Sequence, residues 1–308
     1  MKRIPAKYKG ILYIIISAFC FAFMNAFVRL SGNLPSFQKS FFRNFVAFFF
    51  ALIVLIRQGS DFKIKKGNFK FLFLRSFIGT LGILGNFYAI DHLVLSDASM
   101  LNKMSPFFVI IFSFLILKEK LTLLQGIAVV IAFIGSMFIV KPTFQNMDLL
   151  ASTLGFFGGV CAGFAYTMVR ILSKRGQSGA FVVFFFSAFS CLFTLPFMIA
   201  TFEPMTVKQV LALLGAGLAA TGGQFGITSA YFYAPAKEVS VYDYVQIIFS
   251  AILGYLMFHQ IPDGYSFLGY FLIISMAVLM FFYNNKLLFF KTKQVAPNME
   301  KPIENKSE

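Results

Sequence analysis

The sequence predicts an all-α integral membrane protein of ten transmembrane helices, built as two inverted five-helix repeats. Three observations predict it. Ten apolar stretches fill the chain from residue 10 to residue 285 with only short polar loops between them, and a spanning helix needs about 20 mostly apolar residues. Hydrophobic residues make up 58% of the 308 and only 13% are charged, while mean hydropathy is +0.79, a balance typical of polytopic membrane chains. The second half of the sequence repeats elements of the first.

The first span, 10–30, follows a basic start at Lys2, Arg3, Lys7 and Lys9. It is too long for the apolar core of a typical signal peptide and lacks a small-x-small cleavage site, so it is expected to stay as an anchor. Span two covers 37–56 and carries Arg43 one turn in. Span three, 69–90, places Gly82, Gly85 and Ala89 on one face, where small residues let helices approach closely. Span four, 96–117, opens with Ser96 and Asp97, and span five covers 121–140.

After a linker, 141–149, expected outside the cell, span six runs 150–172 with Gly155, Gly159 and Gly163 at four-residue spacing. Spans seven to ten cover 180–201, 209–233, 239–258 and 265–284. Residues 1–9 are read as a cytoplasmic N-terminus and 286–308 as a cytoplasmic, disordered tail, polar and with basic residues near the membrane. The loops near Asp148, Glu203 and Asp263 are expected outside.

A formal charge of +15 suggests nucleic acid until the charges are placed. With ten alternating spans and an internal N-terminus, the outer face receives only Arg29, Lys39, Lys141 and Lys208. Arg43, Arg75 and Lys103 fall inside spans, and the rest of the 27 Lys and Arg lie on the inner face. Basic residues concentrate on the cytoplasmic side of membrane proteins, so the charge is an orientation signal in a cytoplasmic-membrane protein. The partners expected are the lipid bilayer and a small-molecule solute, with protons as a candidate coupling ion and no nucleic acid. A monomer suffices for this reading.

At an offset of 141 residues the halves pair Leu72 with Leu213, Thr80 with Thr221, Gly82 with Gly223, Gly85 with Gly226, Ala89 with Ala230 and Ser99 with Ser240. The shared Thr-x-Gly-x-x-Gly-x-x-x-Ala of spans three and eight carries most of the weight, because chance matches among apolar residues are common here. Five spans per copy is an odd number, so the second copy (150–285) enters the membrane in the opposite sense to the first (10–140). Inverted repeats are the architecture of many secondary transporters, with a site near the midplane between them.

At these residues the chain resembles the drug/metabolite transporter superfamily, of the EamA ten-helix type. The resemblance is sharpest at Asn86-Phe-Tyr-Ala89, Ser96-Asp-Ala-Ser-Met-Leu101, Pro106, Glu119-Lys-Leu-Thr122 and Gly126. It returns at Ala230-Tyr-Phe-Tyr-Ala-Pro235, Ser240 and Pro262-Asp263. The family tends to carry a Glu closing the fourth helix of a repeat, expected to tie a helix end to neighbouring backbone; here Glu119 is answered by Gln260, a departure that weakens this structural inference for the second copy. The resemblance implies solute movement across the cytoplasmic membrane, often export, without ATP hydrolysis.

Charged groups inside spans are costly and usually face the bundle interior or a wet cavity. Lys103 and Asp243 lie in spans four and nine, which the repeat makes equivalent. They are candidates to receive the carboxylate and the amine of a zwitterion; the alternatives are an inter-repeat salt bridge, or Lys103 reaching to the outer surface. Arg43 is a candidate for attracting anions or steadying an outer gate, against simple snorkelling. Arg75 reads as structural, and Asp97 and Glu238 as first-turn acids that complement their helix dipoles.

Among uncharged groups, Asn25, Asn86, Asn102, Tyr166, Gln224, Tyr242, Tyr244 and Gln246 are polar within apolar segments. Each serves either a substrate or a neighbouring helix. The resemblance implies that their spans line the cavity. The 45 Phe suit an amphipathic solute or a lipid-facing surface equally.

His92 and His259 are too separate for a metal site, and Cys20, Cys161 and Cys191 read as small core residues. No cofactor is expected. No phosphate-binding loop or catalytic motif is present, so an ATP-driven pump is not expected. The leading reading is a secondary transporter for a small organic metabolite such as an amino acid. Its rivals are an intramembrane enzyme, for which no nucleophile and base are evident, and a membrane scaffold or lipid-handling protein with no central cavity.

Overall fold

The computed structural model describes residues 6–59, 62–118, 122–140, 148–234 and 240–284, and these contain helices and no strand. The helices are α1 (Ala6–Leu30), α2 (Ser36–Arg57), α3 (Phe69–His92), α4 (Leu95–Asn102), α5 (Ser105–Leu117), α6 (Leu123–Val140) and α7 (Leu149–Lys174). α8 (Gly179–Ala200), α9 (Val207–Tyr233), a 3-10 turn at Ser240–Tyr244, α10 (Val245–Phe258) and α11 (Gly264–Asn284) follow. A lipid-embedded chain must satisfy its backbone internally, which helices do within one segment. Among the described residues, eight stretches are long and apolar enough to cross a membrane, with shorter apolar helices at Gly126–Ile139 and Tyr242–Phe258. Residues 1–5, 141–147 of the linker, Glu119, Pro235, Glu238 and the tail from 285 lie outside the described residues.

Both fourth spans differ from the single helices expected at 96–117 and 239–258. The first breaks at Lys103–Met104, between α4 and α5. Pro106 explains the place, since a proline ring clashes with the carbonyl four residues earlier, here that of Asn102, and sits comfortably in the first turn of the new helix. In the second half no proline stands at the matching position, and the 3-10 turn precedes α10 instead.

The packing pairs the halves. α1 lies against α9 and α3 against α7, while α2 packs on α8, α6 on α11 and α4 on α10. Exchanging α1–α6 with α7–α11 leaves this pattern unchanged. Individual contacts repeat at the 141-residue offset too. A Cβ on Gly85 would stand 2.7 Å from the Leu154 carbonyl oxygen, and one on Gly226 would stand 2.9 Å from that of Tyr13. Both partners in the second contact are the 141-offset equivalents of those in the first. Likewise α5 and α10 end on Lys118 and His259, the only non-glycine residues with positive φ among those described, at 55° and 52°.

Phenylalanine serves mainly as cross-helix packing and outer surface. Phe69, Phe73 and Phe77 of α3 meet Phe185, Phe189 and Phe193 of α8 edge to face, a favoured aromatic geometry. Phe45, Phe49, Phe50 and Phe114 are exposed on the outside of the bundle.

Candidate functional site

Between the halves lies a small, partly open cavity. Its wall takes Phe21, Met24 and Asn25 from α1, Arg43 from α2, and Arg75, Gly79, Gly82, Ile83, Asn86 and Phe87 from α3. Asn102 ends α4 there. From the second half come Gly158, Ala162, Ala165 and Tyr166 of α7, Phe186 of α8, Gln224 of α9 and Gln246 of α10.

Two arginines dominate it. Arg43 and Arg75 are 1% and 2% exposed, about as buried as a side chain can be. The Arg75 guanidinium lies 3.5 Å above the Phe186 ring and that of Arg43 lies 5.9 Å from the same ring. Gly79 makes the stack fit: a Cβ there would stand 3.0 Å from Arg75 Nη1 and 3.2 Å from the Phe186 ring. Arg75 Nη2 donates to Gln224 Oε1 at 2.8 Å, and Arg43 Nη1 donates to Asn44 Oδ1 at 2.5 Å. Both partners are neutral amides. No carboxylate among the described residues lies within 4.0 Å of either guanidinium, and the Nε of each is buried without a hydrogen-bond partner among them.

The other buried cations are matched. Lys39 Nζ lies 2.6 Å from Asp91 Oδ1, and Lys103 Nζ lies 2.6 Å from Asp243 Oδ2. Of the alternatives for Lys103 and Asp243, the structure holds the ion pair between the halves, and neither residue is on the cavity wall. Tyr242 packs edge-on against Phe281, and Tyr244 is buried near Phe107. Neither lines the cavity. Asn25, Arg43, Asn86, Asn102, Tyr166, Gln224 and Gln246 do, and Tyr166 also stacks on Tyr231.

Arg75, read from the sequence as structural, is placed by the structure on the cavity wall. Its shallow place near the start of α3 suggested a structural role, whereas side-chain reach brings it onto α8 and α9. The polar set has unmet capacity of the opposite kind as well. Asn25 Oδ1, Asn86 Oδ1 and Gln246 Oε1 are buried acceptors with no partner among the described residues. Asn25 nonetheless donates to Ser99 Oγ at 3.2 Å, and Ser99 donates to Ser250 at 2.8 Å, which links α1, α4 and α10.

Around this centre, polar contacts tie the halves. Leu95 N donates to Gln260 Oε1 at 3.0 Å, so the residue answering Glu119 binds the free backbone at the start of α4. Asp97 accepts hydrogen bonds from Ser266 and Tyr270 of α11. That acid bridges to the last helix in addition to sitting in a first turn. Gln38 and Glu203 exchange two hydrogen bonds through the Glu203 backbone.

The family model for the EamA-like transporter family matches residues 8–141 and again residues 149–282. The chain belongs to the EamA-like transporter family. It is a multi-pass membrane transporter, and the double match falls on the two halves described above. Similar to it are the pseudopaline exporter CntI of Pseudomonas aeruginosa, 32% identical over 273 residues that cover 88% of this chain and 95% of that protein. The riboflavin transporter of Vibrio cholerae is 27% identical, covering 86% and 90%. Human solute carrier family 35 member G1 is 26% identical, covering 89% and 79%. A solved crystal structure shares the fold with TM-score 0.67 at 13% identity, over 90% of this chain and 98% of that one.

Proposed function

We propose that this EamA-like protein is a secondary transporter that moves a small organic metabolite, such as an amino acid, across the cytoplasmic membrane by alternating access. The single observation carrying this is the cavity at the interface of the two halves, walled by both and lined with buried polar groups whose hydrogen-bonding capacity is unmet among the described residues. Unmet buried polar groups cost free energy, and a site for a polar ligand explains why they are kept. The repeated contacts support two five-span repeats. An odd span count makes them inverted, so rocking one against the other opens the cavity to either face. The loop charges favour cytoplasmic termini. Export is favoured by the likeness to the pseudopaline exporter.

The test is purified protein in proteoliposomes loaded with a broad metabolite mixture, with both compartments read by mass spectrometry. Time-dependent movement of a defined solute, absent from protein-free vesicles, is expected. Vesicles that retain every solute as protein-free ones do would favour a scaffold or lipid-handling role.

A further inference from the structure

The basic residues on the side assigned to the cytoplasm have an arrangement as well as a number. Segments 58–70 and 174–178, around the α2–α3 and α7–α8 junctions, carry Lys63, Lys65, Lys66, Lys70, Lys174 and Arg175. Against them stands one acid, Asp61, which lies outside the described residues. Orientation in the membrane needs only the count of such charges, yet here two segments, one from each half, are locked together. Gln177, 3% exposed, donates from Nε2 to the Lys63 carbonyl oxygen at 3.2 Å. Its Oε1 accepts from the Lys65 backbone N–H at 3.1 Å and from Asn68 Nδ2 at 3.2 Å.

Cations converge on that frame. A Cβ on Gly176 would stand 3.0 Å from Lys65 Nζ, and one on Gly67 would stand 3.6 Å from Arg175 Nη1. The Arg175 guanidinium lies 4.5 Å from the centre of the Phe71 ring. No carboxylate among the described residues lies within 4.0 Å of Lys63, Lys65, Lys66, Lys70 or Arg175, and all five are exposed. Apolar side chains are interleaved with them, for Phe62, Ile64, Phe69 and Phe73 are exposed too. The edge-to-face pairs of Phe69, Phe73 and Phe77 with α8 continue this apolar surface along the bundle.

We propose that this junction binds an anionic phospholipid, with its phosphate among Lys65, Arg175 and the neighbouring lysines and an acyl chain along the phenylalanine seam of α3 and α8. Lysine and arginine are the side chains that bind phosphate, and basic pockets between membrane helices take anionic headgroups. The apolar seam beside the cations fits a lipid, whereas a free anion needs the cations alone. A lipid held there joins a loop of one half to a loop of the other, whatever the solute and the direction of its movement.

The test is thermal unfolding of the full-length protein in an uncharged maltoside detergent. A thiol-reactive dye reports exposure of Cys20, Cys161 and Cys191, which are buried or half-buried when folded. The probes are phosphatidylglycerol, phosphatidylcholine at the same mole fraction, and soluble glycerol phosphate. A ligand that binds only the folded state raises the midpoint. Phosphatidylglycerol should raise it by several degrees, and the other two by less than a third as much. The double variant Lys65→Gln, Lys66→Gln and the single variant Arg175→Gln should each lose at least half of that shift. Lys291→Gln with Lys293→Gln removes two charges from the tail instead and should leave it whole. Gln177→Ala keeps every charge but frees the segments, and should lose as much as the loop-charge variants. Each shift is taken from the variant's own lipid-free midpoint.

Equal shifts from the two lipids, or a tail variant that loses as much as the loop variants, would reduce the effect to general surface charge and overturn the site. A response to glycerol phosphate as large as that to phosphatidylglycerol would make it a free-anion site and overturn the lipid. A full shift in the loop-charge variants, or in a folded Gln177→Ala protein, would overturn the proposal as well. If Gln177→Ala does not fold, the variants at exposed charges decide alone.

Discussion

Lys103 Nζ sits 2.6 Å from Asp243 Oδ2 across 140 residues of chain, with both side chains buried. Each lies at the interruption of its own fourth span, so one ion pair links the two breaks. Broken helices at the centre of a transporter are places where backbone and charge can rearrange.

Neutralising one partner strands the other. Lys103→Met and Asp243→Asn should each cost about 3–5 kcal/mol, the usual penalty of an uncompensated buried charge. The double variant should recover most of that loss. Unfolding midpoints of the three proteins check it, and a double variant as unstable as the two losses added would mean that the charges act independently.

Gly85 and Gly226 hold corresponding close contacts, so both should respond alike. Gly85→Ala and Gly226→Ala push a methyl against backbone oxygen at 2.7 and 2.9 Å and should destabilise by about 1–3 kcal/mol, as overpacking does. Gly126→Ala, with nothing within 4 Å of the added carbon, should be neutral or gain up to about 1 kcal/mol of helix propensity. If all three behave alike, the glycines are not there for close approach.

Gln260→Ala removes the acceptor for the Leu95 backbone N–H. A loss of about 1–3 kcal/mol is expected from leaving that donor unmet, with Gln260→Glu retaining most of the stability. Equal losses in both variants would show that the acceptor oxygen is not what matters at this place, since glutamate keeps both the oxygen and the volume.

The helices were legible because composition and span length speak directly of the bilayer, and their ends fell within a few residues of expectation. The repeat was legible from Thr80, Gly82, Gly85 and their partners. The cavity was not. Sequence gives the depth of a charge but not its direction, so Arg75 looked like an interface residue until its partners appeared on Phe186 and Gln224, the latter 149 residues away. Lys103 and Asp243 were identified as intramembrane charges, but only tertiary packing shows that they neutralise one another. The break between α4 and α5 has a signal in Pro106, although a single helix was expected there. Its counterpart before α10 carries no comparable signal.

The loop charges carry the proposed orientation, with both termini cytoplasmic. In a background with Cys20, Cys161 and Cys191 replaced by serine, a cysteine at Lys65 should react with an impermeant reagent only from the cytoplasmic side, and one at Asp148 only from outside. The opposite result would invert the topology and with it the direction assigned to transport.

The central claim is that one cavity between the halves opens to both faces in turn. The direct measurement places a single cysteine at Ala162, on the cavity wall to which the arginines also belong, in the same cysteine-free background. Reaction with an impermeant thiol reagent is followed in right-side-out and inside-out vesicles. Alternating access predicts labelling from both sides, slowed from both by a transported solute. Labelling from one side only, in a variant that still transports, would contradict it.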